Sequence, residues 1–98
     1  MGFPAPAESQ LNESLDLNTL CIQHPAATFC MRLQYNMPQQ QLRTGDLLVV
    51  DRSLTPDARS LVVAVADGNF LIRMFADIAN TQTVEVWGVV ASVVRTLA

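Results

Sequence analysis

The side chains that could act as a nucleophile and its base are few. The single histidine is His24, and the serines that it could activate are Ser9, Ser14, Ser53, Ser60 and Ser92. A histidine that removes the proton of a serine hydroxyl would make the chain a hydrolase. His24 directly precedes Pro25, in a region where we expect a helix to end. The simpler interpretation is therefore a partly exposed histidine facing the favourable end of a helix dipole.

Carboxylates and thiols offer two further kinds of chemistry. Asp46 and Asp51 flank one apolar segment and could form an acid–base pair, but their positions are typical of turn and strand-end residues. Cys21 and Cys30 belong to no Cys-x-x-Cys or Cys/His pattern, so we expect neither a metal nor a cofactor. The sequence leaves a disulfide between these two cysteines as an alternative. Because no secretory signal precedes them, two free thiols in a reducing cytoplasm are favoured.

The composition indicates one small folded domain. The chain has 98 residues, of which 50% are hydrophobic and 15% charged, with a net charge of −3. All six basic residues are arginines and they form no run. Direct binding of nucleic acid usually requires a basic patch, so we expect any DNA contact to come through a partner. The apolar runs are far shorter than the about 20 residues that a membrane-spanning helix needs.

The elements that must position these side chains begin after an N-terminal arm. Pro4 and Pro6 predict that residues 1–10 form an extended arm, because proline fixes φ and lacks an amide donor. Residues 11–98 are predicted to form a single β domain. A short helix is expected over roughly 17–23, with Asp16 as its N-cap and Pro25 as its end.

Five further segments are predicted to be strands, two of which form a hairpin. Residues 28–33 are rich in β-branched and aromatic side chains, and 47–50 are entirely apolar between turn residues, which predicts a strand buried on both faces. Leu61–Ala66 and 70–75 flank Asp67-Gly68, a pair that suits a type I′ hairpin turn. Residues 84–94 predict a long strand that bends at Gly88.

Several of these landmarks occur together in one known family. The segments in question are Gly-Phe-Pro-Ala-Pro-Ala at 2–7, Asp-Leu-Asn at 16–18, Ile-Gln-His-Pro-Ala-Ala-Thr at 22–28, Gly-Asp-Leu-Leu-Val-Val-Asp at 45–51, Ala-Asp-Gly-Asn-Phe at 66–70 and Trp-Gly-Val-Val at 87–90. In this order and spacing they resemble the family that contains UmuD and the LexA-type repressors, and the 2–7 segment resembles the start of processed UmuD.

The resemblance implies a fold and a function. Members of this family have a mostly β C-terminal domain, a twisted sheet or partial barrel, with a Ser/Lys catalytic dyad. They cut their own N-terminal arm when an activated recombinase filament assists. Processed UmuD forms a homodimer that joins UmuC, a Y-family polymerase subunit, in error-prone translesion DNA synthesis during the SOS response.

Both dyad positions are replaced in this chain. The family's serine precedes a methionine, and here Asn36 stands before Met37; the family's lysine lies in the second hairpin strand, where this chain has Arg73. A carboxamide has no hydroxyl to deprotonate, and a guanidinium stays protonated. No other lysine can take over, because the chain has none. We therefore expect a protein that is not an enzyme, with Asn36 and Arg73 as degenerate dyad positions.

Two other departures concern the ends and the middle of the chain. The family's additional strand region after the lysine strand is missing, since only about 76–83 lies between the last two strands. We expect its loss to expose a sheet edge and to leave Arg73 more exposed than the family's lysine. Because Phe3 and Pro4 follow Gly2, the chain resembles a member encoded already processed, unless Met1 was added during cloning.

The sequence thus predicts a cytoplasmic, non-catalytic accessory subunit of SOS translesion synthesis. We expect it to act as a homodimer that binds a UmuC-like Y-family polymerase, with a recombinase filament or an active UmuD-like protein as a further partner. The alternative is an inactive decoy that forms mixed dimers with an intact self-cleaving UmuD-like or LexA-like protein. Neither interpretation involves a cofactor, a membrane or direct contact with nucleic acid.

Overall fold

The structure, a computed structural model, describes residues 16–98, and this part of the chain begins with a short capped helix. Helix α1 spans Leu17–Cys21, and the Asp16 carboxylate accepts the N–H of Asn18 at 2.9 Å, so the predicted N-cap is confirmed. The helix ends at Cys21, earlier than expected, and Pro25 instead starts a 3-10 helix, Pro25–Ala27. The predicted arm at 1–10 lies outside the described residues.

The remaining elements are mainly strands. They are β1 (Thr28–Arg32), a 3-10 helix (Pro38–Gln40), β2 (Leu47–Asp51), β3 (Leu61–Ala66), β4 (Asn69–Met74), α2 (Phe75–Ile78) and β5 (Glu85–Val94). Within residues 16–98 the strands form one five-stranded sheet in the order β1-β2-β5-β3-β4. Every neighbouring pair is antiparallel. The expected mainly β fold is confirmed.

The hairpin between β3 and β4 has the predicted turn. Asp67 and Gly68 adopt φ values of 53° and 77°, the left-handed conformation that both central residues of a type I′ turn require. Ala66 and Asn69 are the last paired residues on either side. The turn thereby fixes the register that places Arg73 opposite Val62.

Strand β2 lies at the centre of the core. Its residues from Leu48 to Asp51 are all buried, as expected for an apolar run covered on both faces. One buried cluster combines two residues from the β1–β2 connection with four from the sheet, namely Leu33, Leu42, Leu48, Val50, Val63 and Ile72. The loop after β1 is therefore anchored in the core, although most of its residues are polar and exposed.

Strand β5 bends where glycine allows a close approach. The pairing of β5 shifts register opposite Val49/Val50 and opposite Val63/Ala64, on either side of Gly88. A Cβ atom on Gly88 would lie 2.6 Å from Cγ1 of Val50, which is fully buried. Only a residue without a side chain fits this contact, which confirms the predicted role of Gly88.

Aromatic side chains of the two outer strands meet the tryptophan of the central strand β5. Phe29 belongs to β1 and Phe70 to β4, the two outer strands, yet the rings of both contact Trp87 of β5, at centroid distances of 5.2 Å and 5.3 Å. The predicted partial barrel stays a prediction, since β1 and β4 are not paired with each other. Helix α2, which the sequence did not predict, directly follows β4.

Candidate functional site

Asn36 lies in the connection between β1 and β2, which is held by several local hydrogen bonds. Leu33 is buried and donates its N–H to the Asp46 carbonyl, while Met37 and Leu42 form an isolated β-bridge. The Asn36 side chain is exposed, and its Oδ1 accepts the N–H of Thr44 at 2.9 Å. The amide at the predicted nucleophile position therefore braces its own loop.

Arg73 lies on β4 and is half-buried. Its guanidinium donates to the Ile72 carbonyl at 2.8 Å and to the Tyr35 hydroxyl at 3.4 Å. The same hydroxyl accepts the N–H of Ile72 at 3.2 Å. No carboxylate pairs with Arg73 among residues 16–98. Whether Arg73 is more exposed than the family's lysine stays a prediction.

The two predicted dyad positions are linked through Tyr35. This residue precedes Asn36 in the chain and contacts Arg73, so the structure joins the nucleophile loop to strand β4. The sequence analysis did not single out Tyr35. Neither the Asn36 amide nor the Arg73 guanidinium can supply a nucleophilic alkoxide or accept its proton. What this arrangement can do is donate hydrogen bonds and position the loop.

Asp46, on one side of β2, is buried in an ion pair. Its two oxygens accept from Arg95 Nε at 2.7 Å and Arg95 Nη2 at 2.6 Å, and from the backbone N–H of Arg43 at 2.8 Å. The hydrogen bonds from Arg95 and Arg43 lower the pKa of Asp46 to about 2 despite its burial. Asp46 is a turn residue, as predicted, and its permanent charge makes it unsuited to acid–base catalysis.

Asp51, at the other end of β2, binds His24. The Asp51 oxygens accept the backbone N–H and the hydroxyl of Ser53 at 2.8 Å and 2.6 Å, and one lies 2.6 Å from His24 Nδ1. The Ser53 and His24 contacts lower the pKa of Asp51 to about 2. The predicted helix-dipole environment of His24 is wrong, because the helix ends at Cys21 and a carboxylate is the partner.

No catalytic triad results from the His24–Asp51 pair in the described residues. Ser53 is hydrogen-bonded to the aspartate and not to the histidine, and Ser60 is bonded to Asp57. Ser92 shows no side-chain hydrogen bond to His24 either. Ser9 and Ser14 lie outside the described residues. Cys21 and Cys30 are free thiols in the structure.

One cluster of aromatic side chains and an arginine is centred on Trp87. Arg52 stacks over the Trp87 ring at 4.4 Å from its centroid, next to the exposed rings of Phe29 and Phe70. Residues 16–98 contain no group of three or more metal-binding side chains. None of the helices described there is long and apolar enough to cross a bilayer.

Comparisons with known proteins identify relatives over most of the chain. A family model described as "Peptidase S24-like" matches residues 1–88. Protein MucA of Escherichia coli is 34% identical over 108 residues, covering 91% of this chain and 74% of MucA. Protein ImpA of Escherichia coli is 45% identical over 73 residues, covering 74% of this chain and 50% of ImpA. Protein SamA of Salmonella typhimurium strain LT2 is 44% identical over the same length, covering 52% of SamA.

The lengths of these alignments bear on the missing segment. The chain spans about half the length of ImpA and SamA. The alignment with MucA extends over more positions than the 98 residues of this chain, so MucA carries residues that have no counterpart here. This is consistent with the predicted loss of a segment relative to the family.

Proposed function

Because the chain belongs to the peptidase S24-like family, with UmuD-like relatives, we propose that it is a non-catalytic accessory subunit of SOS error-prone translesion DNA synthesis. In this proposal the chain forms a homodimer that binds a Y-family, UmuC-like polymerase subunit. Its function is to bind partner proteins, and it cleaves neither itself nor another protein.

The observation that carries the proposal is the pair of residues at the dyad positions. Asn36 is bonded to Thr44 and Arg73 to Tyr35 and Ile72, so each replacement has a structural partner. In a serine hydrolase the loss of the nucleophile or of its base alone can cost on the order of 10⁶-fold in rate. Because both are absent and the chain has no lysine, binding is the function that the site supports best.

Exposed apolar side chains support a role in protein–protein contact. Phe29 and Phe70 are 46% and 56% exposed and lie on either side of Trp87. Large exposed aromatic side chains are enriched at the centres of protein interfaces. The outer strands β1 and β4, which carry these two residues, also have one edge each that no strand of residues 16–98 pairs with.

Co-purification with a UmuC-like polymerase subunit tests the proposal. The chain should be a dimer in sedimentation equilibrium and should retain the polymerase subunit on an affinity column. Phe70→Ser should weaken retention, whereas Leu54→Ser, which replaces an apolar residue of 40% exposure in the loop between β2 and β3, should not. A monomer that retains no polymerase subunit at micromolar concentration would contradict the proposal.

A second experiment distinguishes the accessory subunit from the inactive decoy, the alternative that the sequence left open. An intact UmuD-like protein is mixed with the chain, and mixed dimers are sought by native mass spectrometry. Mixed dimers that slow the cleavage of the intact protein, without retention of the polymerase subunit, would favour the decoy. Retention of the polymerase subunit by the homodimer would favour the accessory subunit.

A further inference from the structure

A polar recess lies beside Asn36, and neither Arg73 nor Tyr35 lines it. It has a volume of about 550 Å³, and the residues that line it are Asn36, Pro38, Gln41, Leu42, Arg43 and Arg95. None of them is acidic. Two arginines and two carboxamide residues, Asn36 and Gln41, therefore supply the charged and strongly polar groups of its wall.

The polar groups of this recess are mostly hydrogen-bond donors that still have capacity. Asn36 Oδ1 is occupied by the Thr44 N–H, which leaves the NH₂ group of the same amide as the available part. Arg43 uses its backbone N–H for Asp46, but its guanidinium forms no hydrogen bond to any residue within 16–98. Arg43 is also exposed, so the group is accessible to a ligand.

Arg95 contributes a fixed positive charge. It is held by both oxygens of Asp46 and by the Gln41 carbonyl at 2.9 Å, so its position is set by three hydrogen bonds. Its side chain is 34% exposed, whereas that of Asp46 is 2% exposed. The balancing carboxylate is thus buried behind the guanidinium, and the recess itself presents the cation.

The surroundings add further positive charge. Arg32 donates a hydrogen bond to the Gly45 carbonyl at 2.9 Å and lines an adjoining recess together with Arg43, Arg95 and the ion-paired Asp46. Three of the six arginines, which are far apart in the sequence, therefore lie around one carboxylate that is already fully bonded. The sequence shows no basic run, and only the fold brings these arginines together.

We propose that this recess binds the phosphate group of a small molecule. A concave site whose available groups are arginine and amide donors, without a free carboxylate, fits an oxyanion, and the planar fork of arginine matches phosphate oxygens. The net charge of −3 repels a long polyanion, which favours a small ligand over a DNA strand. This inference goes beyond the proposed function and does not depend on it.

Titration with inorganic phosphate, followed by ¹⁵N NMR of the full chain, tests the proposal. Ionic strength is kept constant with chloride, and the signals observed are the Asn36 side-chain NH₂ and the Arg43 Nε–H. We expect saturable shifts at both groups. Arg43→Gln should weaken the affinity about tenfold or more, as expected when one charge-assisted hydrogen bond is lost.

One control and a second variant make the outcome decisive. Arg59→Gln removes an exposed arginine from the loop between β2 and β3, outside this recess, and should leave the affinity unchanged. Asn36→Ala should weaken phosphate binding, while its amide NMR spectrum should remain that of a folded protein. The absence of saturable shifts in the wild-type chain, or equal affinity in Arg43→Gln and wild type, would overturn the proposal.

The source of the phosphate is tested in parallel with oligothymidylate at the same total phosphate concentration. If inorganic phosphate saturates the site and the oligonucleotide binds no more tightly per phosphate, the ligand is a small molecule. If only the oligonucleotide shifts these signals, with a steep dependence on salt, the assignment to a small molecule is wrong.

Discussion

Replacing Tyr35 with phenylalanine tests whether the degenerate site now has a structural role. The Tyr35 hydroxyl accepts the Ile72 N–H at 3.2 Å and an Arg73 N–H at 3.4 Å. Ile72 is only 6% exposed, so in Tyr35→Phe its N–H loses an acceptor in a place that water reaches poorly. The loop that carries Asn36 would lose its link to β4.

The size of the effect follows from these contacts. A buried donor left without a partner costs about 1–3 kcal/mol. Both distances exceed the usual value near 2.9 Å, and the half-buried Arg73 can turn toward water, so the lower end of this range applies. In a domain of this size, a loss of about 1 kcal/mol lowers Tm by about 4–8 °C.

Thermal unfolding by circular dichroism and amide hydrogen exchange measure the result. Tyr35→Phe should lower Tm by this amount and speed the exchange of the Ile72 amide in particular. The control is Thr55→Val, which removes an exposed loop hydroxyl and should change the stability by less than about 0.5 kcal/mol. An unchanged Tm, with unchanged protection of the Ile72 amide, would refute the reasoning.

Three further predictions concern stability and reactivity. Asp46 and Asp51 have pKa values of about 2 in the folded chain, below the value of 3.8 for an unperturbed aspartate. Because the unfolded chain therefore takes up protons at a higher pH, the free energy of unfolding should fall as the pH drops from about 4 to about 2. Urea titrations should show a smaller fall for Asp46→Asn. Gly88→Ala should cost about 1–3 kcal/mol, because its Cβ would lie 2.6 Å from Val50 Cγ1, and a urea midpoint equal to wild type would contradict this. Both thiols should react with a thiol reagent in the native state, Cys30 faster than Cys21 because only Cys30 is exposed; equal rates would count against the described burial.

Local sequence signals predicted most of the sheet. The Asp67-Gly68 pair has few alternatives to a type I′ turn, and the apolar run before Asp51 has to be covered on both faces. Gly88 was recognisable as a bend because glycine inside an apolar strand usually marks a close approach. Each of these features is determined by residues that are adjacent in the chain, so it can be predicted from a single sequence.

The contacts that define the site join residues that are far apart in sequence. Tyr35 contacts β4, His24 contacts Asp51, and Arg95 contacts Asp46 across 49 positions of the chain. No local pattern specifies such pairs, since they depend on the order of strands in the sheet. Helix α2 was missed for a different reason, because a helix of four residues produces no periodic pattern.

The resemblance added what the residues alone could not supply. It identified Asn36 and Arg73 as the positions to inspect, although neither residue type suggests catalysis by itself. The structure then gave each of them partners that are consistent with structural roles. The absence of catalysis remains a proposal until it is measured.

Intact-mass spectrometry of a cleavage reaction tests that central claim most directly. The purified chain is incubated with an activated recombinase filament and a full-length UmuD-like relative whose own nucleophile has been changed to alanine, with an intact relative as the positive control. We predict that the masses of both proteins stay unchanged throughout the time in which the intact relative cleaves the substrate. Reproducible hydrolysis of either protein by the chain, lost in Asn36→Ala, would contradict the account.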